Sequence, residues 1–282
     1  MITFPNAKIN IGLHVTERRP DGYHNLDTVF YPIPLHDALE VIEVPDAEYD
    51  CQLHLSGVDI AGTPDTNLVV RAYRLLASDY PLPPVDIHLH KHIPTGAGLG
   101  GGSADASFML RLLNEMFSLG IHNEKLEEYA ALLGADCPFF ITGTPIYATG
   151  IGNEFHPITL DLGGFYLAVV KPDVFVSTKE AYSMICPQKP DVTLDKKITA
   201  PISEWRDTIS NDFEKGIFAL HPELQEIKDK LYDLGAKYAA MSGSGSALFG
   251  LFTDPIENIE QYFAGCFCEQ QKLPDSHRGV SK

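Results

Sequence analysis

The stretch PTGAGLGGGSADAS, Pro94 to Ser107, places five glycines (Gly96, Gly98 and Gly100 to Gly102) in fourteen positions, then turns abruptly into small, helix-compatible residues. Glycine at that density costs backbone entropy on folding, so a close approach to the main chain must require it. Before the run, VDIHLHKHI alternates as a strand does. After it, Ser103 to Phe117 carries Phe108, Leu112, Leu113 and Met116 on one helical stripe. Strand, glycine loop and helix in that order turn several backbone N–H groups and the positive end of a helix dipole toward one point, which is how proteins hold phosphates.

Three families of glycine loop fit less well. A P-loop needs lysine where Gly102 stands. Gly96, Gly98 and Gly101 formally satisfy the dinucleotide-binding spacing, but the companion acid, Glu115, falls inside a helix with no βαβ unit around it. A protein-kinase loop would be followed by H-R-D and D-F-G, and neither occurs.

The chain has 282 residues, enough for one large or two ordinary domains. With 21 Lys and Arg against 38 Asp and Glu its net charge is -17, which repels polyanions and argues against nucleic acid as a partner. An anionic ligand must then be held by local dipoles and a few placed cations. Apolar runs such as FYLAVV fall far short of the ~18 residues of a membrane span, and MITFPNAKIN has no signal-peptide core. A cytoplasmic protein without a membrane partner is expected, and its five scattered cysteines read as reduced thiols.

Ala7, Ile9, Ile11, Leu13 and Val15 alternate with Lys8, Asn10, Gly12 and His14, so a strand is expected with Lys8 and Asn10 together on a solvated face. RRPDGYH reverses the chain before Tyr23 and His24. Strands are expected near Thr28 to Tyr31, Ala38 to Val44, Cys51 to Leu55 and Phe165 to Val170, with hairpin material from Pro145 to Ile158. Helices are expected after a cap at Asp65 or Thr66, over Glu124 to Leu133, after a Ser177–Glu180 capping box, over Glu223 to Leu234, and after Pro255. Lys189 to Pro201 reads as a surface connection. His88, His90 and His92 share one strand face, but at roughly 6 to 7 Å between neighbours, with no evident carboxylate to complete a set, an exposed face is the better reading than a metal site. The irregular mixture predicts an α+β protein of two packed domains, an N-terminal ATP-binding and catalytic domain over 1–156 and a C-terminal domain over 157–282 with a polar tail after Leu273.

PNAKINIGLHV, PTGAGLGGGSADAS and MSGSGSALFG, in that order, resemble the three motifs of the galactokinase, homoserine kinase, mevalonate kinase and phosphomevalonate kinase superfamily. RPDGYH, GADCPFF and SNDFE further resemble the branch that phosphorylates cytidyl-diphosphate methylerythritol in the non-mevalonate isoprenoid pathway, over about Phe4 to Phe252. The resemblance implies a two-domain small-molecule kinase fold, with an N-terminal ribosomal-protein-S5-like nucleotide domain and a smaller ferredoxin-like C-terminal domain. It implies ATP and Mg²⁺, an acceptor 2-hydroxyl on a tertiary carbon, and an active site between the domains. One departure is Ala104, where that branch often has a second serine.

By the same resemblance Asp136 is the catalytic carboxylate and Lys8 its partner, although Asp136 before Cys137 and Pro138 reads equally as a helix cap. Pro94, Gly96, Ala97, Gly98, Leu99, Gly100, Gly101, Gly102 and Ser103 are assigned to the ATP phosphates, with Ser103 also reaching magnesium, and Asn67 to adenine. Tyr23 and Tyr182 are expected to sandwich cytosine while His24 reads its polar edge; as residues alone they fit an ordinary core or surface equally well. Asn10 and Thr178 are expected to contact substrate, and Gly243, Ser244 and Gly245 to line the site, unless that loop is a simple strand-entry turn. A sister kinase acting on mevalonate, homoserine or a sugar, or a non-catalytic nucleotide-binding relative, is the alternative. Monomer and homodimer both fit.

Overall fold

The structure, a computed structural model, describes residues 1–275. The strands are β1 (Ile2–Thr3), β2 (Asn6–Arg18), β3 (His24–His36), β4 (Ala38–Glu43), β5 (Cys51–Gly57), β6 (Val85–Lys91), β7 (Ile146–Thr149), β8 (Glu154–Pro157), β9 (Tyr166–Lys171), β10 (Tyr238–Met241), β11 (Leu248–Phe252) and β12 (Phe267–Lys272). The helices are α1 (Leu68–Ala77), α2 (Gly101–Met116), α3 (Asn123–Leu133), α4 (Phe139–Thr142), α5 (Thr178–Ser183), α6 (Leu194–Lys197), α7 (Trp205–Thr208), α8 (Asp212–Leu220) and α9 (Pro222–Asp233).

The chain forms two compact units, each drawn from separate stretches of sequence. The first unites 1–8, 35–95 and 100–144. Its sheet has the order β1-β4-β6-β5, with β5 and β6 parallel and the other pairs antiparallel. Period-two alternation sends Leu39, Val41, Val85, Ile87 and Leu89 into a core with Val69, Tyr73 and Leu76 of α1, Met109 and Leu113 of α2, and Leu126 and Tyr129 of α3. No parallel strand follows α2 in this sheet, so the dinucleotide-binding alternative has no counterpart here.

The second unit unites 9–34, 96–99 and 145–282, of which 276–282 lie outside the described residues. Its antiparallel sheet β10-β11-β9-β12 packs Ala168, Val170 and Leu248 against Phe213 and Ile217 of α8 and Leu224, Ile227 and Leu231 of α9. A further sheet runs β2-β3-β7-β8. Helices and sheets segregated in this way make the protein α+β.

Several local expectations are corrected. β2 is buried from Ala7 through Val15, so Lys8 and Asn10 do not lie on a solvated face. The cap of α1 is Asn67, whose Oδ1 accepts from the Val69 N–H, while Pro64–Thr66 form a single 3₁₀ turn. Ser177 occupies the cap position of α5 without the side-chain bond of a capping box. The 189–201 connection contains α6, and Leu194 is fully buried. After Pro255 there is only a 3₁₀ turn, Ile259–Gln261, before β12, a strand the sequence did not announce. Among the described residues no helix is long and apolar enough to cross a membrane, and the five cysteines are free thiols.

Candidate active site

Within the first unit, Lys8 near the start of β2 is 3% exposed, and its Nζ lies 3.5 Å from Oδ2 of Asp136. Asp136 sits in the turn between α3 and α4, with its side chain 36% exposed. It caps nothing: the N-cap of α4 is Pro138, without a side-chain bond. Burial lowers the Lys8 pKa, opposed by the charge and hydrogen bond of Asp136. The couple is thus a desolvated cation held against a carboxylate that solvent still reaches.

The glycine run is divided between the units, 96–99 in the second and 100 onward in the first. Helix α2 starts at Gly101, two residues before the expected Ser103, and its N-cap is Gly100 at φ 72°, with no side-chain cap. The first N–H groups of a helix have no partner within it, so Gly101, Gly102 and Ser103 present donors at the positive end of the dipole. Part of the glycine requirement comes from the protein itself. A Cβ at Gly98 would fall 2.0 Å from the Ser242 carbonyl oxygen, and one at Gly100 would fall 2.8 Å from Phe140 Cζ and 3.1 Å from Lys8 Cγ. Gly102 differs: its nearest neighbour would be Leu68 Cδ1, at 3.8 Å. There a Cβ would make only one ordinary van der Waals contact, so packing does not account for that glycine. Pro94, Ala97 and Leu99 are buried.

A second charge cluster lies behind α2, and the sequence reading missed it. Lys91, Asp37 and Asp105 are all buried; the Lys91 ammonium donates to Asp105 Oδ2 at 2.7 Å and to Asp37 Oδ2. Asp37 Oδ1 accepts from the N–H groups of His92 and Ile93, at 2.6 and 2.9 Å. The cluster therefore ties the end of β6 to the second turn of α2 across the loop between them. Burial raises the Asp105 pKa to about 7, opposed by Lys91. One signal was available, since Lys91 continues the inward register of Val85, Ile87 and Leu89, where an unpaired charge is not tolerated.

Within the second unit, the Asn10 N–H donates to Ser242 Oγ at 3.2 Å and its Nδ2 to Thr28 Oγ1 at 2.9 Å. Ser242 Oγ donates to the Gly98 carbonyl at 2.9 Å, and the Ala247 N–H to the Ala97 carbonyl at 3.1 Å. The glycine-serine loop between β10 and β11 thus grips residues 97–98 of the glycine run, more than a strand-entry turn needs to do. Asn211 holds that loop through its Nδ2, which donates to the carbonyls of Met241 and Gly243 at 2.8 Å each. The sequence alone marks Asn211 only as part of SNDFE, a family motif. Thr178 and Ser244 hydroxyls lie 3.3 Å apart. His24 and Tyr182 stack with ring centroids 4.8 Å apart, and Phe213 meets Tyr182 edge-on. Tyr23, expected opposite Tyr182, is 61% exposed, so it is His24 that lies on the Tyr182 ring. Asn67, assigned to adenine, is occupied as the α1 cap through Oδ1, one residue from the Leu68 that neighbours Gly102.

A helix N-terminus opening on glycines lies beside a lysine–carboxylate couple, and the matches to known proteins define the class as a small-molecule kinase. Residues 67–144 match the family model "GHMP kinases N terminal domain" and 201–267 match "GHMP kinases C terminal". The 4-diphosphocytidyl-2-C-methyl-D-erythritol kinase of Bacteroides fragilis is 60% identical, covering 97% of this chain and 100% of its own. That of Parabacteroides distasonis is 52% identical, with 97% and 100% covered. A crystal structure of 4-(cytidine 5'-diphospho)-2C-methyl-D-erythritol kinase superposes with a TM-score of 0.81 at 35% identity, covering 96% of this chain and 98% of that one. Mevalonate kinase of Methanococcus jannaschii shares the fold, with a TM-score of 0.69 at 13% identity and coverage of 97% and 98%. The chain belongs to the 4-diphosphocytidyl-2-C-methyl-D-erythritol kinase family of the GHMP kinases. It is therefore a kinase with ATP as co-substrate.

Proposed function

We propose that this protein transfers the γ-phosphoryl group of ATP to the 2-hydroxyl of 4-diphosphocytidyl-2-C-methyl-D-erythritol, releasing ADP. The observation that carries the reading is the Lys8–Asp136 couple at 3.5 Å, with Lys8 packed beside the Gly100 cap of α2. A tertiary alcohol is a hindered nucleophile and needs a carboxylate to take its proton. In this reading Asp136 accepts the hydroxyl proton as the new P–O bond forms and the bond from the γ-phosphorus to the bridging oxygen of ADP breaks. The Lys8 ammonium pairs with the Asp136 carboxylate, and the N–H groups of Gly101, Gly102 and Ser103 neutralise phosphate oxygens.

Magnesium fits as an ion held mainly by the nucleotide, with the Ser103 hydroxyl in the first turn of α2 as a hard oxygen ligand from the protein. It would supply charge neutralisation on the phosphates. Tyr23 and Tyr182 stack on cytosine and His24 reads its polar edge, which requires His24 to leave the Tyr182 ring it covers now. We place the reaction in the cytoplasm, where free thiols persist.

Asp136→Asn tests the reading. ADP release with Mg·ATP and the cytidyl substrate should fall by on the order of 10² to 10⁴ while nucleotide binding persists. A near wild-type kcat would remove the base assignment. Faster turnover of mevalonate or homoserine than of the cytidyl substrate would overturn the substrate.

A further inference from the structure

The outward face of the first unit's sheet carries chemistry that phosphoryl transfer does not use. The histidines of β6 do not converge with one another along the strand, because residues two apart are too widely spaced. Convergence comes from the neighbouring strand. His54 of β5 stands directly opposite His88 of β6 in the parallel register, and Asp86 is two residues before His88 on the same face. The two imidazole rings stack with centroids 4.5 Å apart and planes 13° apart. His54 Nε2 lies 3.7 Å from Asp86 Oδ1. One ligand atom from each of His54, Asp86 and His88 can be chosen so that all three lie within 4.8 Å of one another.

We propose that His54, Asp86 and His88 form a binding site for a divalent transition-metal ion of the zinc class. Ligand atoms around a tetrahedral zinc stand about 3.4 Å apart, following from bonds of about 2.0 to 2.1 Å, and since a metal lies in the plane of each imidazole it binds, the two histidine rings turn out of their observed stack to take up that geometry. Two imidazoles and one carboxylate select zinc, cobalt or nickel over magnesium, which prefers an all-oxygen set. The surroundings suit the role. The Tyr49 hydroxyl donates to Asp86 Oδ1 at 2.7 Å, the kind of outer contact that orients a ligating carboxylate. Glu40 of β4 stands opposite His88 on its other side, a further carboxylate in the same row. The His54 side chain is 41% exposed and that of Asp86 25%, so an ion enters from solvent and water completes its coordination.

Such an ion has a structural consequence. β5 is an edge strand whose one neighbour in the sheet is β6, and the site draws one ligand from β5 and two from β6. The ion therefore clamps the edge strand to the sheet.

The test uses the full chain stripped of metal and titrated with Co²⁺, followed by visible spectroscopy, and with Zn²⁺ as competitor. Binding should saturate at one equivalent with the bands of four- or five-coordinate cobalt and without an intense near-ultraviolet thiolate band. His54→Ala and His88→Ala should each weaken it by at least ~tenfold. His90→Ala, whose ring instead bonds Ser56, should leave it unchanged. Hydrogen exchange in β5 should slow when Zn²⁺ is added to wild type and not to either histidine variant. The proposal is overturned if wild type shows no saturable binding, if both histidine variants bind as wild type does, or if a thiolate band shows that cysteines hold the ion.

Discussion

Lys8 and Lys91 are both buried, both meet carboxylates, and both touch the start of α2. A Cβ at Gly100 would lie 3.1 Å from Lys8 Cγ, and one at Gly101 would lie 3.3 Å from Lys91 Nζ. Their surroundings make them different devices. Lys91 faces two carboxylates that solvent does not reach, and one of those, Asp37, also binds two backbone N–H groups. Lys8 faces Asp136, and that carboxylate remains over a third exposed. A sealed cluster fixes the loop's ends, whereas the half-open couple leaves its carboxylate within reach of solvent, as the proposed proton transfer requires. The lesson is that exposure of the acid, rather than the presence of a lysine–aspartate pair, is what distinguishes the two devices.

Substituting each lysine by methionine should break the comparison most sharply. Lys91→Met leaves two buried carboxylates without their cation and should cost about 3 to 5 kcal/mol in denaturant unfolding. Lys8→Met removes a desolvated charge, and Asp136 can hydrate, so stability should change by less than about 1 kcal/mol while turnover falls by on the order of 10² or more. Equal stability losses in the two variants would show that the two pairs are not different devices.

Asp105→Asn should act more mildly and through pH. The folded chain holds the Asp105 proton up to about 7, against 3.8 ordinarily, so between those values the folded state binds more protons than the unfolded one. Its contribution is fully present below about pH 4 and is lost as pH rises through about 7. Asn cannot ionise, so the variant should lose less stability than wild type between pH 5 and pH 8, by at most ~1.4 kcal/mol per pH unit. Parallel slopes in the two proteins would show that Asp105 does not titrate there.

Much of this was legible from residue order. Alternation marked β2 and β6, the glycine run marked the start of α2, and the motif order marked the family, because each depends on local spacing. What escaped depends on contacts distant in sequence. Asp37 is 54 residues from Lys91, and nothing local says that they meet. The solvated reading of Lys8 and Asn10 failed because alternation reports that two faces differ, not that one is wet. His54 went unnoticed beside His88 because strand pairing, not sequence distance, brings them together. The motifs point to Tyr23 and Tyr182 as a pair of aromatics, yet the stacking of His24 on Tyr182 follows from χ angles that no pattern encodes.

The same contrast extends to pH dependence and to the loop itself. Burial lowers the Lys8 pKa from 10.5, so the ammonium paired with Asp136 is lost sooner than for an ordinary lysine as pH rises. The alkaline limb of kcat, at saturating Mg·ATP, should therefore lie below pH 10.5. A limb at or above that value would separate Lys8 from turnover. The smallest effect is expected at Gly102, the glycine that neither lysine crowds. Ala there needs no unusual backbone and meets only Leu68 at van der Waals distance, so as a better helix former it should raise stability by about 0.5 to 1 kcal/mol. With the phosphates bound at the start of α2 as proposed, its methyl group would stand in their way, so KM for ATP should rise while the fold is strengthened. If KM stays unchanged, the open side of Gly102 does not face the nucleotide, and the start of α2 must hold phosphate through Gly101 and Ser103 alone.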